Sequence, residues 1–577
     1  MTNAEIATVL QEMALFLEME GVAFKPRAYE KAAHAIEGLE EPVSDLYAHG
    51  GLKALAEIPS VGKGIAERIE ELLQTGHCAD HEALRRKTPV DVSALTAIEG
   101  VGPKAVKTLY EKLRVRTVTD LEKAAHAGRV RALAHFGEKS EQKILKGIAF
   151  LRQAGGRRPI GTVLDLVHDI ETRLRGLPGV TQAHVAGSIR RRRETIGDAD
   201  FVVVTARAEP VMKFFVAMPE VAHVYGTGPT KTMVRLANGM DADLRVVPAA
   251  SFGAALNYFT GSKAHNVKLR RIALEKGLKL NEYGLFKGER AIAGRTEEEI
   301  YAALGLQYVP PELREDTGEI ELARARRLPR LIDSGDIRGD LQVQTSWTDG
   351  AHSIEEMVAA ARRAGLEYIA ITDHTRGLAM TGGSDERQLL MQMAAIKAVN
   401  KRLRGFRVLS GAEVNINRDG SLDIADEVLA QLDVVGIAVH SYFGLGRAEM
   451  TRRLVRAMEN PHADILFHPT ARLLMKREPI DIDIDALIAT AKRTRTVLEI
   501  DAYPDRLDLK DEHVRKAVQA GVKLTIDSDA HNMSHFRWLN DFGVAVARRG
   551  WATKKDVINT LPANEFLRQL KGARSSS

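Results

Sequence analysis

The sequence predicts a multidomain chain with an all-helical N-terminal region, a mixed α+β middle and a C-terminal region of alternating strands and helices. Three observations predict it. From Met1 to about Arg152 apolar residues recur at helical spacing, broken by short Gly-containing turns. From Pro159 to Thr317 helical stretches mix with β runs such as Phe201–Ala206 and Ala242–Pro248, so a sheet enters. Beyond Asp340, runs such as EYIAITDH, FRVLSGAEVNI, LDVVGIAVH, ADILFHP, TVLEIDAY and VKLTIDSDAH alternate with helical segments, which argues for a parallel barrel or a doubly wound sheet. The charged stretch Gly318–Asp340, with Pro329, reads as an exposed connection, and KGARSSS as a disordered tail.

At 577 residues, with 45% hydrophobic and 28% charged residues, the chain has the composition of several packed domains. The formal net charge is only +5, but a pI of 9.0 and the run Arg190–Arg193 point to a polyanionic partner. A single cysteine, Cys78, excludes an intrachain disulfide and fits a reducing compartment. The N-terminus lacks the pattern of a signal peptide, and no segment reaches the ~18 apolar residues of a spanning helix, so the expected location is cytoplasmic, with no membrane partner.

Two segments of the helical region share one form. Ile58-Pro59-Ser60-Val61-Gly62-Lys63-Gly64 precedes IAERIEELL, and Ile98-Glu99-Gly100-Val101-Gly102-Pro103-Lys104 precedes AVKTLYEKL. Both read as helix-hairpin-helix. Gly62, Gly64, Gly100 and Gly102 let the backbone approach a phosphate, the following helix N-terminus presents free N–H groups, and Lys104 adds a cation. A plain αα-turn is the alternative, and the presence of two copies favours DNA grip.

The α+β region carries the chemistry. Gly187-Ser188 precedes Arg190 and Arg191, and Gly197-Asp198-Ala199-Asp200 runs into the strand FVVVTA. Side chains two apart on a strand share a face, so Asp198 and Asp200 are placed together; Asp243 lies in another strand-like run. Three such carboxylates suit two Mg²⁺ ions, one activating an attacking hydroxyl and one neutralising a departing pyrophosphate. Ser188, Arg190 and Arg191 are candidate triphosphate donors. In the C-terminal region nearly every strand ends on a ligand type: Asp373-His374, Glu413, His440, His468, Glu499 and Asp529-x-His531.

With these motifs the chain resembles the bacterial family X DNA polymerases, across nearly its whole length. The resemblance implies a helical gap-end-binding domain (1–84), a second helix-hairpin-helix subdomain (85–155), a nucleotidyltransferase palm (156–250), a nucleotide-binding subdomain (251–317), a linker (318–336), a distorted (β/α)₇ polymerase-and-histidinol-phosphatase (PHP) barrel (337–570) and a tail (571–577). It implies that Asp198, Asp200 and Asp243 are catalytic and hold Mg²⁺ or Mn²⁺. It further implies that Gly187, Ser188, Arg190, Arg191, Tyr258, Phe259, Gly261, Ser262 and Asn266 bind dNTP, and that Arg270 contacts template. Lys263 departs from the acidic residue of animal relatives. Lys25, Ala28 and Tyr29 match a pocket for the 5′-phosphate of a gap, whereas Arg68 stands where those relatives have a Schiff-base lysine, so lyase activity is expected to be absent or weak unless another lysine, such as Lys63, substitutes.

For the barrel the resemblance implies Zn²⁺ or Mn²⁺ on Asp349, His374, Glu413, His440, His468, Asp529 and His531. Where that family has His-x-His, this chain has Gln342 and Gln344, and 3′-to-5′ trimming is expected to be weak or Mn²⁺-dependent. The expected partners are gapped or primed duplex DNA and dNTPs, with the protein a monomer. A DNA-end-binding scaffold with attenuated centres is the rival reading.

Overall fold

The computed structural model describes residues 1, 3–37, 39, 41–98, 100–153, 156–378 and 381–572. The helical region has two cores. Ile6, Leu10 and Met13 of the first helix, Asn3–Met19, enter one with Ile65, Ile69 and Cys78, while Phe16 and Met19 of the same helix enter the other with Val106, Leu109 and Ile148. The helix therefore joins both hairpin units. Each hairpin turn is closed alike, Val61 N donating to Ile58 O and Val101 N to Ile98 O, both at 3.0 Å. Gly62 and Gly102 then cap the helices Lys63–Thr75 and Pro103–Leu113 without a side-chain acceptor. Glu99 lies outside the described residues.

The palm is a five-stranded sheet in the order Val180–Val185, Asp198–Thr205, Asp241–Val247, Lys231–Leu236, Val221–Thr227, with only the second and third strands parallel. Phe201 to Val204 are all buried because helices cover both faces. Phe201 and Val203 share a core with Val167, Ile170 and Leu174 of Leu164–Arg175, and Val202 and Val204 pack on Phe252, Ala255 and Leu256 of Phe252–Thr260.

The nucleotide-binding subdomain adds a three-stranded sheet and a fully buried guanidinium, Arg314, 2.5 Å from Glu297, whose other oxygen takes Arg190 at 2.6 Å. The expectation of an exposed linker over 318–336 is corrected here. Glu319 is fully buried and bonds His265 at 2.7 Å, and Ile320, Ala323 and Leu331 form a core with Trp551 of the barrel. Its apolar residues are few but face inward. Of the expected disordered tail, residues 573–577 lie outside the described residues, and helix Ala563–Gly572 leads up to them.

Between the two C-terminal alternatives the structure selects the barrel. Its seven parallel strands, Gly339–Val343, Tyr368–Ile371, Arg407–Asn415, Val434–Ala438, Ile465–Leu466, Val497–Asp501 and Leu524–Asp527, pair in chain order. Val343 bridges Ala530 and closes the circle. Tyr368 and Ala370 belong to one core with Phe566, Ile369 and Ile371 to another, as alternation requires. The strands' C-terminal ends carry the ligand-type side chains to one rim.

Burial alone would raise Glu297, yet Arg314 and Arg190 outweigh it and hold the carboxyl down at about 2. Its stabilising contribution is therefore complete above its ordinary 4.5 and lost as pH falls through about 2. Glu297→Gln leaves two guanidinium groups without their shared carboxylate. At pH 7 it is expected to cost about 3–5 kcal/mol in denaturant unfolding; a loss below about 1 kcal/mol would show that the triad does not hold the subdomain together.

Candidate active sites of the palm and the barrel

The parallel register pairs Asp198 with Asp241 and Asp200 with Asp243, so the expected catalytic carboxylates stand on neighbouring strands at one end of the sheet. Asp198 is exposed, and Asp200 and Asp243 are half-buried. Burial, then the charges of Asp198 and Asp243, push Asp200 up to about 7. Burial also raises Asp243, opposed by Lys231, whose Nζ is 3.9 Å away, and by Arg245. Three carboxylates gathered at one end of the sheet are a hard oxygen donor set that fits Mg²⁺ or Mn²⁺. Gly187 has φ +61, and a Cβ there would lie 2.4 Å from Asp200 Oδ2, so only glycine lets this turn sit against the carboxylate.

Of the expected dNTP residues, Ser188 Oγ is buried with no hydrogen-bond partner among the described residues, and Tyr258 is exposed. Phe259 lies under the Arg245 guanidinium at 4.9 Å. Ser262 caps helix Lys263–Glu275, and Asn266 Nδ2 donates to Tyr258 O at 2.7 Å. Arg190 and Arg191 meet competing contacts. Arg190 is bound to Glu297 and Thr260, and Arg191 to Glu315 at 3.1 Å and to the Thr260 carbonyl, close to Gly261. Glu297 and Glu315 lie more than 100 residues from their arginines, at separations of 107 and 124, and no local spacing announces them.

Among the DNA-contact candidates, Lys25, Gly62, Gly64, Gly100, Gly102, Lys104 and Arg270 are exposed. Tyr29 is buried, with Arg68 and Asp80 among the charges that act on it. Arg68 itself pairs with Asp80 and the Gly64 carbonyl.

The barrel rim gathers all seven expected ligands. His374 Nε2 and His531 Nε2 lie 3.6 and 3.7 Å from Asp349, and Glu413 is ringed by His374 at 3.2 Å, His440 at 3.0 Å and His468 at 2.8 Å. Asp529 is 3.7 Å from His531. His374 Nδ1, His440 Nε2, His468 Nδ1 and Asp529 Oδ1 are buried without hydrogen-bond partners among the described residues. The His374 and His440 nitrogens, which converge on Glu413, fit Zn²⁺ or Mn²⁺. Asp349–His374–His531 and His374–Glu413–His440 each bring one ligand atom per residue within 4.8 Å of the others.

Asn415, missed from the sequence, fixes His440 Nδ1 at 2.7 Å; standing two residues after Glu413 on its strand, it was discoverable by alternation. Asp373 is a hub bonded by Thr345, Thr348 and Gln392, and Glu499 accepts from His468 N at 2.6 Å.

On the motif-one side two amides stand where the resembled family has histidines. Gln344 Nε2 donates to Glu413 at 2.9 Å, and Gln342, with its amide nitrogen turned toward Glu499, donates at 2.6 Å. Both amides are buried with their nitrogens toward carboxylates, while Gln344 Oε1 has no hydrogen-bond partner among the described residues, and the Arg506 guanidinium brings positive charge 3.5 Å from Asp501 and 3.8 Å from Asp529.

These architectures define a DNA-handling nucleotidyltransferase with a metal-site barrel fused behind it. Four family descriptions match: a helix-hairpin-helix domain over 1–78, a SAM-like helix-hairpin-helix tandem over 92–149, the DNA polymerase beta thumb over 255–315 and the PHP domain over 340–494. The DNA polymerase/3′-5′ exonuclease PolX of Bacillus subtilis (strain 168) is 37% identical over 566 residues, 97% of each chain. DNA polymerase lambda of Rattus norvegicus is 24% identical over 54% of this chain and 56% of its own. A probable phosphatase of Thermoanaerobacter sp. (strain X514) is 29% identical over 33% of this chain and 78% of its own. The chain belongs to the bacterial family X DNA polymerases with a C-terminal PHP domain.

Two outcomes are expected from this geometry. Because Asp200 is raised from 3.8 to about 7, it costs the metal-free fold stability that grows above pH 3.8 and levels off above about 7. Asp200→Asn should therefore raise the metal-free melting temperature at pH 8 by roughly 5 °C, an advantage that vanishes near pH 4; an equal gain at both pH values would reject the charge argument. In the barrel, Gln342→His with Gln344→His should increase both bound metal per chain, measured by elemental analysis, and the rate of 3′ trimming. If neither moves, these glutamines do not disable a subsite.

Proposed function

We propose that this polymerase fills short gaps in duplex DNA, transferring a deoxynucleotidyl group from dNTP to a primer 3′-hydroxyl at Asp198, Asp200 and Asp243, and that its barrel trims 3′ ends weakly. The observation that carries the reading is the parallel pairing of Asp200 with Asp243 beside the Gly187 turn. Mg²⁺ or Mn²⁺ held by the three aspartates would supply Lewis acidity at the hydroxyl and neutralise pyrophosphate. Ser188 Oγ, buried and without a partner among the described residues, donates to a phosphate oxygen, and exposed Tyr258 packs on the sugar. The two hairpins hold the DNA backbone independently of sequence, and Lys25 meets the gap's 5′-phosphate by a charge-assisted contact.

In the barrel, Asp349, His374 and His531, with Glu413, His440 and His468, would hold Zn²⁺ or Mn²⁺, which supplies an activated water for phosphodiester attack. The protein acts as a monomer in the cytoplasm; among the described residues no helix is long and apolar enough to cross a membrane.

Asp243→Ala should abolish nucleotide addition on a one-nucleotide gap, by more than about 1,000-fold, while DNA affinity in a fluorescence titration stays within about threefold. Full extension by this variant would remove Asp243 from the catalytic set.

A further inference from the structure

We propose that two arginines of the barrel, Arg549 and Arg472, are positioning residues for the nucleotide-binding turn of the palm, so that the barrel sets dNTP affinity at the polymerase centre. The inference rests on the polymerase reading above and adds a function for the barrel that its own metal centre does not explain.

The turn in question, Arg190–Arg193, lies between Ser188 and the strand of Asp198 and Asp200. Its local closure is by backbone alone, Arg192 N donating to Ile189 O at 2.9 Å and Arg193 N to Ser188 O at 3.0 Å, and Arg192 holds φ +53. A non-glycine residue in the left-handed region needs external support. The barrel supplies it at two points.

Arg549, the last residue of helix Val544–Arg549, is anchored to Asp511 of the barrel at 2.6 Å. Its other terminal nitrogen donates to the Arg191 carbonyl at 2.9 Å and to Glu315 Oε1 at 3.1 Å. That same Glu315 oxygen accepts from Arg191 Nε at 3.1 Å. Three residues further along the palm, Glu194 is held by Arg472 at 2.9 Å, while Arg472 also bonds the Leu507 carbonyl within the barrel. Both arginines are buried.

The contacts run on to the nucleotide motif. Arg191 Nη1 donates to the Thr260 carbonyl and lies 3.0 Å from where a Cβ of Gly261 would stand. A guanidinium suits the junction because its rigid fork serves Asp511, Glu315 and a carbonyl together, whereas an ammonium is a point charge on a flexible stem. Loss of the fork leaves the turn and Thr260–Ser262 free to shift relative to one another. The chemical groups at Asp198, Asp200 and Asp243 remain, so nucleotide binding suffers before turnover does.

The test uses the full chain with single-nucleotide insertion on a gapped duplex, the barrel's metal content and the melting temperature. Arg549→Lys and Arg472→Lys are each expected to raise KM for dNTP about tenfold with kcat within about twofold, and to leave barrel metal content unchanged. Glu315→Gln should raise KM as well, and combining it with Arg549→Lys should add little, because the two residues act through one contact. An active, folded Arg549→Lys enzyme with unaltered KM overturns the proposal, as does a KM rise that is fully additive with Glu315→Gln. Should Arg549→Lys fold poorly, Arg472→Lys decides the matter by the same KM criterion. A wild-type protein that adds no nucleotide at all sinks the polymerase reading itself, which separates that failure from this one.

Discussion

The parallel pairing of Asp198–Thr205 with Asp241–Val247 is the constraint on which the palm depends, because it sets like charges side by side. In an ordinary sheet such a pairing is destabilising. Here the strands are driven together by residues further along the same pair: Phe201, Val202 and Val203 are buried opposite Leu244, Arg245 and Val246. Apolar burial thus holds an electrostatic conflict at the strand ends, and burial first, with the charges of Asp198 and Asp243 second, raises Asp200 to about 7. A cation held by these carboxylates would relieve what the fold imposes. The same logic explains Gly187, since any side chain there would collide with the carboxylate that the register has fixed.

Much of this was legible in the sequence because it is local. The Asp-x-Asp spacing, the twin hairpins and the ligand-type residues at strand ends are patterns of period two or of turn chemistry, and each survives in the structure as a residue placed where alternation puts it. Long-range pairing was not legible. Arg190 and Arg191 look like free phosphate donors in a basic run, yet Glu297 and Glu315 have claimed them from another subdomain. Likewise 318–336 has the composition of a linker, but Glu319 closes on His265 and Leu331 on the core that holds Trp551. A sparse apolar pattern still buries fully when neighbours on two sides supply the rest of the core.

The glutamines of the barrel show a different limit. From sequence they are absences, two ligands missing from a pattern. In the structure they are substitutes with contacts of their own, amide donors bonded to Glu413 and Glu499 in a place crowded with buried carboxylates. Burial and mutual repulsion raise Glu499, Asp501 and Asp527 together, while Arg506 is drawn toward Asp501 and Asp529. Neutral amides and one guanidinium face that negative charge.

The two centres are therefore tied by more than a shared chain. Apolar residues of the palm and of the barrel form one continuous core, and Arg537 reaches Asp165 across the same junction at 2.7 Å. A flexible tether would bury no such surface and would leave Arg549, Asp511 and Glu315 exposed as a weak, screened cluster. Arg549 is buried and Asp511 and Glu315 are half-buried, so the cluster is shielded from solvent at a joint next to the turn Arg190–Arg193. Barrel strands are locked by their own closure at Val343 and Ala530, whereas the turn Arg190–Arg193 is closed by single backbone bonds and holds Arg192 at φ +53. The proposed coupling therefore runs through Arg549 and Arg472, the buried links between barrel and turn.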